Sequence, residues 1–427
     1  MTHALFGKPM RIIFYTHYYP PEVNAPASRT SEHARVWAKA GHDVVVVTCA
    51  PNHPGGKIYP GFKNRLFQSE MIDGVQVVRV WTCLAANEGF LRRTLNYVSY
   101  AISATLATFW LKRPDVIIST SPQFFCGLTG LLAKMIKRVP WVLEIRDLWP
   151  ESIVTVGAMR NGVTVRFLER LESLAYRKAD KIVVVADAFA PHISRRGGGD
   201  KVSVIKNGAN LDMFTRPVGA SAIKQQLGLD GRFVAAYVGT HGMAHGLDTV
   251  LDAAQALRDD PRIVFLFVGD GAERQRLEQR KLDMALTNVV MLGQQPKSAM
   301  PGIWAATDAS LIVLRRDDLF KKVLPSKMFE AMAMRCPIIL GVEGEALELL
   351  KEAGAGLAVT PQNAHELAAA VTRLANDPAL ADTLGANGEQ FVREHFDRSK
   401  LAMRYIDLLA QTIAPLQAPS GALKMSH

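Results

Sequence analysis

The sequence predicts an α/β protein made of two Rossmann-like, doubly wound domains facing a central cleft. Three observations carry this expectation. Short apolar runs such as Ile12-Ile-Phe14, Val44-Val-Val-Val47 and Val264-Phe-Leu-Phe267 alternate with helical patterns, as in parallel sheets buried on both faces. The chain has 427 residues and is 48% hydrophobic, enough for two cores. Near its middle, Gly197-Gly-Gly-Asp200 and then Asn207-Gly208 break the pattern with residues that supply the positive-φ turns of a domain crossing. The expected domains are 1–196 and 213–395, joined by a linker over 197–212. Residues 396–427 are expected to add a last helix and a frayed tail.

Residues 11–16 form the first expected strand. The loop His17-Tyr18-Tyr-Pro-Pro-Glu-Val-Asn24-Ala-Pro26 leads to a helix over 28–40 that stops at Gly41, and a strand follows over 43–48. In such a βαβ opening, ligands meet the loops at the carboxyl ends of the strands. The loop is either part of that ligand wall or a rigid connection. Residues 94–111 carry no charge and lie between Arg92-Arg93 and Lys112-Arg113. Leu91, Leu95, Val98, Ile102, Leu106 and Phe109 fall at helical spacing there, with Asn96, Ser99 and Ser103 on another face. This polar content makes it a poor membrane-spanning helix. It fits either an interfacial helix, with Tyr97, Tyr100, Phe109 and Trp110 at headgroup level, or a helix packed inside the first domain. Strand 115–120, helix 122–136 and strand 141–145 follow. The last ends at Arg146-Asp147, where the active sites of such sheets form. Arg146 either holds a phosphate or pairs with Glu144 or Glu151. Helix 163–178 and strand 181–185 complete the first domain.

The second domain opens with strand 233–238 and the turn Gly239-Thr240-His241-Gly-Met-Ala-His245-Gly246, followed by a helix to Leu257. Glycine-rich turns of this kind let backbone amides approach a phosphate. Strand 263–268 ends at Gly269-Asp-Gly271-Ala-Glu273, which lacks the third glycine and acidic ribose ligand of a dinucleotide site. Strand 310–314 leads into Lys321-Lys322-Val-Leu-Pro325-Ser326-Lys327-Met-Phe-Glu330. Here Ser326 marks a helix start, and the helix dipole with Lys321, Lys322 and Lys327 favours an anion. Glu330, one turn in, can accept hydrogen bonds from a hydroxylated ligand such as ribose. The alternative is a solvated basic loop before an ordinary buried helix. Residues 357–359 and helices to about Leu416 end the pattern.

The phrase Pro325-Ser-Lys-x-Phe-Glu330-x-Met-Ala-x-x-x-Pro337-Ile resembles the retaining glycosyltransferases of the GT-B fold, of the family 4 type. The resemblance runs from about Arg11 to Leu409. It takes in Tyr19-Pro-Pro, Gly41-His-Asp-Val, Asn207-Gly-Ala-Asn and Gly269-Asp-Gly-x-Glu. Asp147-Leu-Trp-Pro-Glu-Ser152 is similar to the WbuB-type branch that builds bacterial surface polysaccharides. The resemblance implies a nucleoside-diphosphate sugar, UDP-linked, held mainly by the second domain. Its donor-side positions here are Gly239, Thr240, His241, His245, Gly269, Gly271, Gln294, Lys322, Ser326, Lys327 and Glu330, with Glu330 on the ribose. The acceptor side falls on Tyr18, Asn24, Arg29 and Arg146, and the catalytic positions on Asp147, Arg146 and Lys327. It also implies that the last helix crosses back to the first domain. Lys322 stands where the family has a first Glu on the donor sugar, and Arg146 where it has a His. His241 and His245 stand where an Arg and a Lys clasp the diphosphate. Positive charge must then come from Lys322 and Lys327, or from histidines that are only partly protonated at pH 7.

A formal charge of +10 asks for anionic partners. The basic residues are dispersed, without an RNA-binding aromatic signature or zinc finger, which sets nucleic acid aside and leaves diphosphates and anionic membrane. The four cysteines show no Cys-x-x-Cys or Cys/His spacing, so neither a disulfide framework nor structural zinc is expected. No Asp-x-Asp metal motif is present, and no cofactor is expected beyond the nucleotide sugar. No apolar signal region precedes the first strand. The expected function is retaining, metal-independent transfer of an N-acetylated hexosamine or deoxyhexosamine to a polyprenyl-diphosphate-linked acceptor. The expected location is the inner face of a bacterial cytoplasmic membrane. The rival expectations are a UDP-sugar 2-epimerase of the same architecture and a non-catalytic membrane-associated scaffold.

Overall fold

The structure, a computed structural model, describes residues 8–53, 55–84, 90–121, 123–155, 162–215 and 222–417. Eight strands form the first sheet: β1 (Arg11–Tyr15), β2 (Asp43–Cys49), β3 (Phe67–Ile72), β4 (Val75–Val80), β5 (Val116–Thr120), β6 (Trp141–Ile145), β7 (Lys181–Val184) and β8 (Val202–Val204). Their order is β3-β4-β2-β1-β5-β6-β7-β8, parallel except for β3 against β4. The second sheet has β9 (Phe233–Val238), β10 (Ile263–Val268), β11 (Val289–Leu292), β12 (Ala309–Val313), β13 (Ile338–Gly341) and β14 (Gly356–Ala358). These are all parallel, in the order β11-β10-β9-β12-β13-β14. Both are doubly wound sheets of the expected fold class, and their central strands are mostly apolar because helices cover both faces. Strand order reverses between β1 and β5 in one sheet and between β9 and β12 in the other, the points where ligands bind in such folds.

Several elements differ from expectation for identifiable reasons. Helix α1 (Ala25–Lys39) begins three residues earlier than the expected 28, because the Asn24 side chain accepts a hydrogen bond from Ala27 N at 2.9 Å and Pro26 suits a first turn. The β3–β4 hairpin is absent from the expected elements, although its turn, Asp73-Gly74, has positive φ at both residues, the usual chemistry of a tight hairpin. Val202–Val204 lies in the expected linker, but it pairs with β7 as the last strand of the first sheet. The crossing therefore comes after it, and Gly197–Gly199 is only a tight turn before that strand.

Helix α2 (Phe90–Ala107) runs into one 3-10 turn at Thr108–Trp110 and carries its amphipathicity inside out. Its inward face carries satisfied polar groups beside buried Ala104 and Ala107. Asn96 Nδ2 donates to Cys83 O at 2.7 Å, Ser99 Oγ accepts from Cys83 N at 2.8 Å, and Tyr100 OH donates to Val47 O at 2.8 Å. Leu95, Ile102, Leu106, Phe109 and Trp110 are exposed, the last at 75%. Helix α3 (Phe124–Lys137) packs beside α2 and adds exposed Leu132 and Met135. No helix among the described residues is long and apolar enough to cross a membrane.

The helix Arg398–Gln417 lies on α1. Trp37, fully buried, donates from Nε1 to Ala402 O at 2.8 Å and meets the Tyr405 ring edge-on at 5.4 Å, while Leu401, Ile406 and Leu409 fill the same core. The expected tail over 418–427 lies outside the described residues. Replacing Trp37 by Ala removes both the packing and the bond, so Trp37→Ala should lower stability by ~3–5 kcal/mol in urea unfolding. A loss under 1 kcal/mol would show that this junction is not a structural anchor.

Candidate active site

The two reversal points open on one cleft of ≈ 520 Å³. Its second-sheet wall is set by two strand-end loops in backbone contact. Gly239 N donates to Val268 O at 2.9 Å, and His241 N to Asp270 O at 2.9 Å. A Cβ on Gly269, whose φ is +141°, would stand 1.9 Å from Gly239 O, and one on Gly271 would stand 2.5 Å from His241 O. Only glycine lets the loops approach this closely. Of the expected donor positions, Gly239, Thr240, His245, Gly269, Gly271, Gln294, Ser326, Lys327 and Glu330 line this cleft.

His241 and Lys322 do not. His241 is fully buried beneath its loop, and burial, then Arg274, pushes its pKa down to about 4. His245 does reach the cleft, but burial and Lys327 push it down to about 3. Neither histidine carries charge at pH 7, so the protonated-histidine alternative fails. Lys322 turns to Glu151 of the first domain at 3.3 Å, and Lys321 to Asp318 at 2.7 Å. Lys327 stands apart from these. Its ammonium is buried without a hydrogen-bond partner, lies 3.6 Å from the centre of the Tyr237 ring, and burial brings its pKa down to about 7. The helix it begins, Lys327–Ala333, is short, and Ser326 makes no capping hydrogen bond, so the formal charge outweighs the dipole. The Ser326 hydroxyl is correspondingly left to the cleft. Burial raises the pKa of Glu330 against the opposing pull of Arg398 and Lys297.

The opposite wall carries Asn24, Arg29 and Arg146. Arg29 is committed to structure: it contacts Glu144 at 3.3 Å and Asn207 Oδ1 at 2.8 Å. Glu151 is taken by Lys322, so Arg146 forms neither of the carboxylate pairs its sequence position allowed. Its Nη1 is buried and unpartnered, and burial lowers its pKa only to about 9, so it stays charged at pH 7. Asp147 does not line this cleft. It turns to the other side of the β6 end, into a small pocket with Phe124, Trp149 and Tyr176, where burial raises its pKa. Tyr18 is also withdrawn, buried with its hydroxyl 3.4 Å from that of Tyr97.

Sequence reasoning missed His53, Lys297 and Arg398, which all line the cleft. His53 follows the carboxyl end of β2, a position the strand-end rule alone marks. Lys297 and Arg398 bond the two oxygens of buried Glu32 on α1, and Arg398 also bonds Gly208 O. These cations hold the Glu32 carboxyl below its usual range although burial opposes them. Among the described residues, no group of three or more His, Cys, Asp and Glu is placed to hold a metal ion.

Two facing Rossmann-like sheets with a shared basic cleft define a GT-B protein. Residues 24–208 match the glycosyl transferase 4-like domain, and 220–391 match the glycosyl transferases group 1 domain. Between them these matches span most of the chain, which belongs to this family of two-domain glycosyltransferases. The chain is 26% identical over 377 residues to the Escherichia coli (strain K12) protein assigned as colanic acid biosynthesis glycosyl transferase WcaI, covering 85% of this chain and 91% of that one. It is 28% identical over 409 residues to the Bacillus subtilis (strain 168) protein assigned as teichuronic acid biosynthesis glycosyltransferase TuaC, covering 92% and 96%. Among solved structures, HepE of Anabaena in complex with UDP-glucose superposes with a TM-score of 0.72 at 19% identity, covering 94% of this chain and all of that one.

Because a bound diphosphate favours the charged ammonium, nucleoside-diphosphate affinity should fall by up to about tenfold per pH unit above the Lys327 pKa near 7, and level off below it. Calorimetry between pH 6 and 8 checks this. In Lys327→Ala, affinity should drop by ~1.5–3 kcal/mol and the pH dependence should vanish. A variant that keeps the wild-type slope would show that another group titrates.

Proposed function

We propose that the protein is a retaining, metal-independent glycosyltransferase of surface-polysaccharide assembly. It transfers an N-acetylated hexosamine or deoxyhexosamine from UDP to a polyprenyl-diphosphate-linked acceptor at the inner face of the cytoplasmic membrane. One observation carries the reading: Lys327 and Arg146 line opposite walls of one cleft, each with a buried nitrogen, Nζ and Nη1, that has no hydrogen-bond partner. Uncompensated buried charge is costly, and a bound diphosphate removes that cost. As the bond from the anomeric carbon to the diphosphate oxygen breaks, negative charge grows on that oxygen, and Lys327 and Arg146 stabilise it without needing a metal. Glu330 takes the ribose hydroxyls. The acceptor oxygen attacks from the face the diphosphate leaves, and its proton passes to the departing phosphate oxygen, which gives retention.

The UDP-glucose complex of HepE supports the donor class, and the relatives named for colanic and teichuronic acid synthesis support the polysaccharide product. The outward apolar face of α2 supports the lipid-linked acceptor. Leu106, Phe109 and Trp110 beside exposed Lys112 and Arg113 combine the apolar and cationic signals that stable attachment to an anionic bilayer needs.

Incubation with UDP-sugars in the absence of acceptor should leave the sugar configuration unchanged. Epimerisation there would favour the 2-epimerase, and failure to bind any UDP compound would favour the scaffold. With acceptor, the product linkage should keep the donor's anomeric configuration by NMR, and EDTA should leave the rate unchanged. Replacing Leu106, Phe109 and Trp110 by Ser touches exposed positions, where substitutions typically shift stability by no more than about 0.5 kcal/mol each. Binding to phosphatidylglycerol liposomes should fall at least tenfold while UDP-glucose affinity holds. Unaltered liposome binding would sink the docking model.

A further inference from the structure

Few side chains on the acceptor wall are placed to take a hydroxyl proton. Arginine side chains only donate, so Arg29 and Arg146 cannot accept one. The Asn24 side-chain oxygen already accepts the α1 capping bond and that of Asn207 a bond from Arg29, while Ser28 offers a hydroxyl. His53 is different. It lines the cleft, its ring lies 5.0 Å from the Tyr18 ring, centre to centre, and neither ring nitrogen hydrogen-bonds to the described residues.

Its backbone is held at both N and O, and that of Asn52 beside it at N. The buried Glu22 carboxylate accepts from His53 N at 2.9 Å and from Asn52 N at 3.0 Å, and Tyr59 OH donates to His53 O at 2.7 Å. Burial lowers its basicity, so the imidazole is neutral at pH 7 and one ring nitrogen keeps a free lone pair. A backbone held in this way, carrying an unspent acceptor in the cleft wall, is suited to orienting a ligand.

We propose that His53 is the acceptor-binding residue that takes a hydrogen bond from the attacking hydroxyl, turning the oxygen lone pair toward the donor. This rests on the glycosyl-transfer reading above. In that reading the hydroxyl proton ends on the diphosphate, so His53 orients it and does not keep it. Glu22 acts through His53 as a positioning residue.

The test compares wild type, His53→Ala and His53→Gln. The donor is whichever of UDP-glucose, UDP-galactose, UDP-N-acetylglucosamine and UDP-N-acetylgalactosamine the wild type turns over. The acceptor probe is geranyl-diphosphate-linked N-acetylglucosamine, and water is the competing acceptor. His53→Ala should leave UDP affinity and donor hydrolysis within about twofold, while transfer relative to hydrolysis falls roughly tenfold to a hundredfold. His53→Gln, which restores a hydrogen-bond acceptor, should recover part of that loss. An unchanged transfer-to-hydrolysis ratio in His53→Ala overturns the proposal, as does a loss of UDP affinity, which would place His53 on the donor. If the wild type itself neither binds nor turns over any of these donors, the glycosyl-transfer reading fails first, and this proposal falls with it.

Discussion

One buried carboxylate, Glu32, ties the first domain to both the second domain and the last helix. It sits on the first helix, with its side chain only 6% exposed, and it binds Lys297 from the second domain and Arg398 from the last helix. Breaking a pair of this kind strands a charge in a dry interior, at a cost of ~3–5 kcal/mol, whereas intact it fixes how the partner elements sit. Arg398 also bonds Gly208 O in the segment where the chain crosses between sheets. The wall bearing Arg29 and Arg146 and the wall bearing Lys327 and Glu330 therefore share one point of reference.

Against this compensated triad, the uncompensated cations stand out. Arg29, Lys297, Lys322 and Arg398 each have a carboxylate partner. Lys327 has only the face of an aromatic ring, and Arg146 only the Ala25 carbonyl at 3.4 Å. Folding alone would favour pairing or neutralising both, and Lys327 is already half-way to neutral at pH 7. Strain of this kind persists where a ligand relieves it.

The strands were legible because a parallel strand buried on both faces is an apolar run whatever the fold around it, as in Val44–Val47 and Val264–Phe267. The glycine-rich loops after β9 and β10 were legible for a related reason, since no other residue permits their contact. What could not be read was direction. Arg146 and Asp147 are adjacent, yet they leave the end of β6 on opposite sides, so one meets the cleft and the other an apolar pocket. Lys322 and Lys327 look equivalent in a basic run, but Lys322 finds Glu151, 171 positions away. Periodicity located α2, but it cannot say which face is inside. The answer was set by backbone groups of Val47 and Cys83 that satisfy Tyr100, Asn96 and Ser99 and leave leucines and a tryptophan to the outside.

The seating of the last helix on α1 has a consequence for synthesis. Trp37 and Ala402 are 365 positions apart, so at about 5–20 residues per second the ribosome takes roughly 20–70 s to deliver the partner after the tryptophan emerges. During that interval the first domain has its sheet and most of its helices, with one apolar face of α1 uncovered. The second domain, contiguous in sequence from β9 to β14, meets no such delay. The domain made first is thus the one finished last.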